Sequence, residues 1–465
     1  MSEDAPSPAA PAPRSRPSLA TVARRTIGSR WIAPLVLVLV SFVTVTVHVE
    51  SFTTISPVDE LTHIDSLFHA PVPVHSGEKI GEDALREQAC RGLDGYPSPS
   101  CTTPGDLDPE DFQEDGFNTG AVYTPLYYSV TKLLAVPLQL VTGTESLVTA
   151  ARLVGAVWLA AGLLLTYSVG RRLGAARASL TSILVLVAMT PSILFPSATV
   201  SPDATGLVAG AAIVWAALVW EDAPRRRWWV PVLVAVLVAA LKTVNILAIF
   251  MIACYILIRL ASSWNAQRRG TDMDGQLPED RRRPMLVGAI AVGAGVFATL
   301  LGWSAYVSAS TVASTVDVPM NERTATASLT GWQLLVSFGQ FLDPLEPSGN
   351  VTITEAVGFV DQRLVGMLLL AAVVGGAFFA LGSPRLRALG QAMFIAGAIG
   401  GPLMTVFIFV LHGSYIAIPG RYAITLVPAA VVLAATFVRP RWAQVVLALG
   451  ALAVWLVTLR TLLTR

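Results

Sequence analysis

Two adjacent carboxylates, Asp59 and Glu60, stand about ten residues beyond the first strongly apolar segment of the chain, and His63 follows them. A helix would bring Asp59 and His63, which are four residues apart, to one face. Ionisable groups close to bilayer hydrocarbon are costly and mark functional sites. The spacing therefore favours proton transfer or metal binding, although a cap at a helix start after Pro57 would account for the pair equally. One carboxylate–histidine pair is too small to define a metal site.

The loop that carries this pair is strongly acidic. Between residues 50 and 120 it holds fifteen Asp and Glu residues against three basic ones, Lys79, Arg86 and Arg91. It also holds two of the three cysteines, Cys90 and Cys101. If the loop faces an oxidising compartment, these two would form a disulfide that closes a small sub-loop; otherwise they are two free thiols.

Three tyrosines, Tyr123, Tyr127 and Tyr128, cluster around Pro125 after the acidic loop. Tyrosine favours the headgroup layer of a bilayer, so this group could be an aromatic belt. The alternative is a platform that binds sugar rings or a lipid phosphate.

Polar residues also stand at the starts or breaks of later apolar segments. Asp203 follows Ser201-Pro202 and would either cap its helix or point into a cavity beside Asp59. Lys242, with Asn245, interrupts an apolar run, and it would reach the headgroups or pair with a lipid phosphate.

A further polar group precedes the tenth apolar segment, where His412 is followed by the string Pro-Gly-Arg-Tyr at residues 419–422. The guanidinium fork of Arg421 suits a phosphate better than a lysine does. The alternative for Arg421, which has Tyr422 beside it, is a structural ion pair with the acidic loop.

The composition predicts the elements that must hold these residues. Of 465 residues, 54% are hydrophobic and only 14% are charged, against about 25% charged in a soluble protein. The sequence therefore predicts an all-α polytopic membrane protein. We expect a disordered cytoplasmic tail at residues 1–29 and one transmembrane domain at residues 30–465.

Eleven apolar segments are long enough to be candidate spans. They are residues 31–49, 148–169, 178–195, 203–220, 228–241, 244–260, 285–307, 364–382, 390–411, 422–438 and 442–460. Basic clusters follow every second span and place the N-terminus in the cytoplasm, provided that residues 123–141 lie at the interface without crossing. On this topology the first loop, residues 50–147, carries interfacial helices on the outer side, and residues 308–363 form a second outer loop.

The order of these motifs resembles that of GT-C glycosyltransferases, which take sugars from polyprenyl-phosphate carriers. The acidic pair at 59–60, Tyr-Thr-Pro-Leu-Tyr-Tyr at 123–128, Arg-Arg-Leu-Gly at 171–174 and Ser-Pro-Asp at 201–203 match in sequence order. Residues 419–422 are similar to the Gly-Arg-Tyr string of a related group of membrane proteins, domain of unknown function 2142. The chain departs from the GT-C pattern at Tyr123-Thr124, where His-Pro is usual.

The resemblance implies an inverting sugar transfer at the extracytoplasmic face of the inner (plasma) membrane. Asp59 would be the general base, and Glu60 would orient the acceptor or help Asp59 hold a divalent cation, Mg²⁺ or Mn²⁺, which some relatives use and others do not. Arg421, Lys242 and Tyr422 would bind the donor phosphate. Substrate contacts would come from His63, Tyr123, Tyr127, Tyr128, Asp203 and His412.

The expected partners are a polyprenyl-phosphate-linked sugar, a glycan or lipid acceptor and the lipid bilayer, with no nucleic acid. One alternative function is a transporter or flippase for lipid-linked sugars, which usually shows repeated halves around a midplane site. The other is a non-catalytic assembly protein of the cell envelope, in which Asp59 is only a cap.

Overall fold

The structure, a computed structural model, describes residues 19–101, 107–270, 276–312, 325–326, 328–345, 356–379, 383–412 and 415–464. This part of the chain is almost entirely helical. The strands that it contains are β1, Ala325–Thr326, and β2, Tyr415–Ile416, which pair antiparallel. The all-α class predicted from composition is confirmed.

The helices, in chain order, have the following bounds. They are α1 Leu19–Ser51, α2 Glu60–His69, α3 Glu82–Arg91, α4 Leu126–Thr142, α5 Leu147–Arg172, α6 Arg177–Met189, α7 Pro191–Ala198, α8 Gly206–Asp222, α9 Trp229–Leu241, α10 Ile246–Arg269, α11 Glu279–Ser310, α12 Gly331–Ser337, α13 Ala356–Phe378, α14 Pro384–His412, α15 Val427–Phe437 and α16 Arg441–Leu463. Short 3₁₀ turns at Pro202–Thr205, Thr243–Asn245 and Gly420–Leu426 lead into α8, α10 and α15.

The first helix begins at Leu19, so residues 19–29 of the predicted disordered tail are helical. Residues 1–18 of that tail lie outside the described part. The candidate span in this helix runs from Arg30 to Ser51, so the predicted first span, residues 31–49, lies in the C-terminal part of α1.

Among the described residues, nine helices are long and apolar enough to cross a membrane. Two of the eleven predicted spans fall short of that standard. Residues 178–195 form α6 and α7, which are bent by 66° at Thr190, so that they count as a tenth span only if taken together. The helix α9 has 13 residues and ends where Lys242 takes an extended backbone. The chain is thus a multi-pass membrane protein.

The helices around α8 approach one another closely through glycines. A Cβ at Gly210 would lie 1.9 Å from the carbonyl oxygen of Thr425, and one at Gly155 would lie 1.8 Å from that of Ser197. Small residues allow such backbone contact, which drives helix association where lipid offers no hydrophobic gain. These contacts bring the starts of α8 and α15 together, and they bring α7 against α5.

The acidic loop folds into a small lobe with its own apolar core. Ile64, Leu67 and Leu85 of α2 and α3 pack with Val148 and Val154 of α5. Cys90 and Cys101 form a disulfide, the pairing expected for a loop in an oxidising compartment. This lobe carries α2, and it therefore fixes the position of Asp59 and His63.

Candidate functional site

Four charged side chains from distant parts of the chain meet at one end of the bundle. Arg421 donates from Nη2 to Asp59 Oδ2 at 2.9 Å, and its Nε lies 3.4 Å from Asp203 Oδ2. Lys242 donates from Nζ to Asp203 Oδ1. We call Asp59, Asp203, Lys242 and Arg421 the Asp59–Arg421 cluster. Its two carboxylates and two cations balance in formal charge.

Asp59 holds an unusual backbone conformation at the start of α2. Its φ of 57° and ψ of 7° lie in the left-handed region, which aspartate tolerates better than most residues. The side chain makes no capping hydrogen bond to α2, so the simple capping role considered for this residue does not hold. The carboxylate is instead turned towards Arg421, with about a third of its surface exposed. Residues held in sparsely populated backbone regions cluster at functional sites.

Asp203 is also released from a capping role. The hydroxyl of Ser201 accepts a hydrogen bond from the Asp203 backbone N–H at 3.3 Å and so caps the turn Pro202–Thr205. The Asp203 carboxylate is free to bind Lys242 and to face Arg421. Asp203 therefore holds both cations of the cluster in place.

Tyrosine faces flank Lys242. Its Nζ lies 4.9 Å from the ring centroid of Tyr422 and 5.5 Å from that of Tyr123, which are cation–π distances. The Tyr123 ring also meets His63 edge to face, with centroids 5.4 Å apart. Tyr123 and Tyr422 thus form an aromatic border around the cationic side of the cluster.

His63 is buried beneath this border. Its Nδ1 lies 2.8 Å from the hydroxyl of Tyr128. Burial lowers the pKa of His63 from 6.5 to about 4, while the nearby Asp59 carboxylate opposes the shift. His63 is therefore neutral near pH 7, and it supports Tyr128 through a hydrogen bond and Tyr123 through a ring contact without adding charge.

Tyr127 and Tyr128 are buried next to the site and support it. The two rings meet edge to face with centroids 5.2 Å apart. The Tyr127 hydroxyl accepts a hydrogen bond from the backbone N–H of Ser201 at 3.1 Å, just before Asp203. Burial raises the pKa of both hydroxyls, which are neutral donors and acceptors. The substrate contact expected of Tyr127 is thus replaced by a contact that positions the start of α8.

Glu60 faces away from Asp59 and forms a buried ion pair with Arg152 of α5. Arg152 donates from Nε and Nη2 to the two carboxylate oxygens at 2.8 and 2.7 Å. The backbone N–H groups of Val200 and Ser56 donate to the same oxygens at 2.9 and 2.7 Å. These four hydrogen bonds occupy Glu60. The catalytic and metal-binding roles expected for Glu60 are corrected to a structural one.

The donor set does not fit a metal site at Asp59 and Glu60. Each carboxylate binds a different arginine, and the part of the chain that the structure describes contains no group of three His, Cys, Asp or Glu residues placed to hold an ion. Positive charge at the site comes instead from Arg421 and Lys242. We therefore assign no step to the Mg²⁺ or Mn²⁺ that the sequence resemblance allowed.

Arg152 is the site-supporting residue that the sequence reading missed. It lies inside the second span, where an arginine is costly unless it is paired. That position was the signal that could have identified it. His412, by contrast, ends α14, and its side chain lies outside the described residues.

A small cavity adjoins Asp59 on the lobe side. It is lined by Asp59 with Pro57, Thr62, Gln113 and Thr119, and its volume of about 10 Å³ holds about one water molecule. The lining gives the Asp59 carboxylate polar surroundings from the acidic loop.

A second ionic cluster lies at the other end of α8. Glu221 accepts hydrogen bonds from Tyr255 at 2.5 Å and from Arg259 Nη2 at 2.7 Å, and Arg385 Nε lies 3.3 Å from it. Arg385 also donates to Asp222 at 2.8 Å. We call Glu221, Asp222, Tyr255, Arg259 and Arg385 the Glu221 cluster. It ties α8, α10 and α14 together.

Neither a protein-family model, nor a curated protein, nor a solved structure matches this chain. The fold and the site together define a multi-pass helical membrane protein with a mixed ionic and aromatic site at one end of the bundle. Its function has to be argued from that geometry.

Proposed function

We propose that this protein is a GT-C-type glycosyltransferase that moves a sugar from a polyprenyl-phosphate donor to an acceptor hydroxyl. The observation that carries the proposal is the contact between Asp59 and Arg421 at 2.9 Å, beside Lys242 and two tyrosine rings. In an inverting displacement the attacking oxygen and the leaving phosphate oxygen lie on opposite sides of one carbon atom, so the general base and the cationic phosphate site must be close enough to flank a single sugar ring.

Arg421 and Lys242 would stabilise the phosphate as it leaves. Cations fixed in place stabilise charge that develops in the transition state, because they need no reorganisation when the reaction occurs. Asp203 contacts both cations and so fixes their positions. The Tyr123 and Tyr422 rings would border the sugar or the phosphate.

Without substrate, Asp59 is engaged by Arg421. A donor phosphate would compete with Asp59 for the guanidinium and release the carboxylate. Asp59 would then accept the proton of the acceptor hydroxyl as its oxygen attacks the anomeric carbon. The bond from that carbon to the phosphate oxygen breaks with its electron pair on the phosphate, and the configuration of the sugar inverts.

The charge distribution supports an extracytoplasmic site in the inner (plasma) membrane. The Asp59–Arg421 cluster lies at the acidic-loop end of the bundle, whereas arginines 225–227 follow the opposite end of α8 and arginines 281–283 lie in the first turns of α11. Basic segments stay preferentially in the cytoplasm. Acceptors on that side would be envelope glycans or lipids.

The proposal is tested with the full-length protein in vesicles that contain a panel of pentose and hexose polyprenyl phosphates. Both sugar transfer to an acceptor and translocation of the donor across the bilayer are measured. We expect transfer by the wild type and a loss of roughly 100- to 10,000-fold for Asp59→Asn, as for removal of a general base. The matched control is Asp222→Asn at the other end of α8, which should transfer normally.

Undiminished transfer by folded Asp59→Asn would remove the base assignment. Donor translocation by the wild type without any transfer would favour a flippase. Absence of both activities with every donor would favour a non-catalytic assembly protein.

A further inference from the structure

A groove of about 610 Å³ lies at the end of the bundle remote from the Asp59–Arg421 cluster. One wall is the turn after α8, which contributes Arg225 and Trp228, and the other wall is the first half of α11. The candidate span that contains α8 ends at Asp222, and α11 begins a span at Glu279. The mouth of the groove is therefore at the depth of the lipid headgroups.

The lining of the groove changes from charged to apolar along α11. Asp280, Arg283, Val287 and Ala291 recur at intervals of three and four residues, so they form one stripe on the helix. The charged residues stand in the first turns, and the apolar ones follow deeper along the span. Val287 exposes about two thirds of its surface. This order matches an amphiphile that has a polar head and an apolar chain.

The polar end of the groove carries charges of both signs. Arg225 and Arg283 supply two positive charges, and Glu279 and Asp280 supply two negative ones. Over the described residues, no ion pair within 4 Å engages Arg225 or Arg283. A purely anionic headgroup would place its negative charge against the carboxylates of Glu279 and Asp280, which is unfavourable at an interface. A headgroup with a phosphate and an ammonium can pair with the two arginines through its phosphate and with the two carboxylates through its ammonium.

We infer that this groove binds a phospholipid whose headgroup carries a phosphate and a primary ammonium. The phosphate binds Arg225 and Arg283, since guanidinium forks match phosphate oxygens. The ammonium donates to Glu279 and Asp280, because charge-assisted hydrogen bonds to carboxylates are strong. One acyl chain follows Val287 and Ala291 along α11. Trp228, half exposed, takes the interfacial position that tryptophan favours.

This inference does not depend on the glycosyltransferase proposal, because the groove and the Asp59–Arg421 cluster lie at opposite ends of α8. The full-length protein is placed in bilayers with equal amounts of phosphatidylethanolamine, phosphatidylcholine and phosphatidylglycerol. Retained lipids are counted by native mass spectrometry. We expect the wild type to retain phosphatidylethanolamine at least about threefold above either other lipid.

Two variants locate the binding in the groove. Ala291→Trp fills the apolar half and should abolish the enrichment. Leu286→Trp, on an exposed face of α11 that does not line the groove, should keep it. Enrichment that survives Ala291→Trp would overturn the assignment of the groove.

Two double variants test the headgroup chemistry. Glu279→Gln with Asp280→Asn should reverse the preference towards phosphatidylglycerol, because only cations remain. Arg225→Gln with Arg283→Gln should lose retention of both phosphatidylethanolamine and phosphatidylglycerol. Equal retention of the three lipids by the wild type, or a preference for phosphatidylglycerol, would overturn the proposal.

Discussion

The Asp59–Arg421 cluster and the Glu221 cluster occupy the two ends of α8, and both pair carboxylates with arginines, yet they differ in how far their charges are exposed. Glu221 and Arg259 are both almost fully buried, and the Glu221 carboxylate binds several donors. Asp59 and Arg421 keep about a third and a quarter of their side chains exposed.

The difference distinguishes the Glu221 cluster, which holds helices together, from the Asp59–Arg421 cluster, which can bind a ligand. A buried charge is tolerable only with excellent geometry and further hydrogen bonds, which the Glu221 cluster has. The other cluster leaves Asp59 and Arg421 partly exposed and holds Asp59 in left-handed backbone. Its charges can exchange partners with a ligand at lower cost. Exposure of the ion pair, rather than the presence of charge, therefore distinguishes the candidate site.

The largest effect on stability is expected from Glu221→Gln. The substitution leaves Arg259 buried without its counter-charge, and breaking a buried pair costs about 3–5 kcal/mol. Chemical unfolding in detergent micelles measures the change in free energy. Replacing Glu221 and Arg259 together by leucine should recover most of the loss. If Asp59→Asn destabilised the protein as much as Glu221→Gln does, the comparison would fail.

Arg421→Gln should mainly affect activity. Removing a group that stabilises transition-state charge costs about 100- to 1,000-fold in rate, or about 2.7–4 kcal/mol. The matched substitution, Arg385→Gln in the Glu221 cluster, should leave the transfer rate of the folded protein unchanged. Initial rates at saturating donor measure both variants. Equal losses of rate in the two would show that the clusters are not functionally distinct.

His63 predicts a dependence of stability on pH. Its pKa is about 4 in the folded protein and 6.5 when unfolded, so the unfolded state binds more protons between these values. Stability contributed by neutral His63 is therefore present above pH 6.5 and is lost as the pH falls towards 4, by about 3 kcal/mol in all. Unfolding free energies from pH 4 to 8 should show this slope, and His63→Gln should flatten it. An unchanged slope in His63→Gln would contradict the assignment.

The smallest effect is expected at the exposed rim of the Glu221 cluster. Arg172 pairs with Asp222, but the two side chains keep 29% and 40% of their surfaces exposed. Exposed pairs contribute about 0–1 kcal/mol and are screened by salt. Arg172→Gln should therefore change the unfolding free energy by less than about 1 kcal/mol, and less still in high salt. A loss of unfolding free energy close to that of Glu221→Gln would contradict the expectation that this exposed pair contributes little.

The sequence predicted the helical class well, because continuous apolar runs identify spans without knowledge of packing. It joined α6 and α7 into one span, although Pro191 follows Thr190 and residues before proline avoid helical backbone. It also counted α9 as a span, although Lys242 ends that helix after 13 residues. The count of eleven is therefore not confirmed at these two segments, because hydropathy alone takes no account of local signals that break a helix.

The sequence also singled out all four members of the Asp59–Arg421 cluster, because charged residues at the ends of apolar segments are conspicuous. It placed Asp59 and Glu60 in one site, with Asp59 as the base and Glu60 in a secondary role, because the two are neighbours in sequence. The left-handed backbone at Asp59 sends the two carboxylates to different arginines. Arg152 is 92 residues from Glu60, and no local pattern encodes such a partner.

The contact between Asp59 and Arg421 spans 362 positions of the chain. At about 5–20 residues per second, a ribosome needs roughly 20–70 s to make the segment that separates them. Asp59 is therefore synthesised well before its partner exists. A chain that stops before residue 421 can insert most of its helices and still lack the site. The ion pair thus becomes a marker that synthesis has passed residue 421.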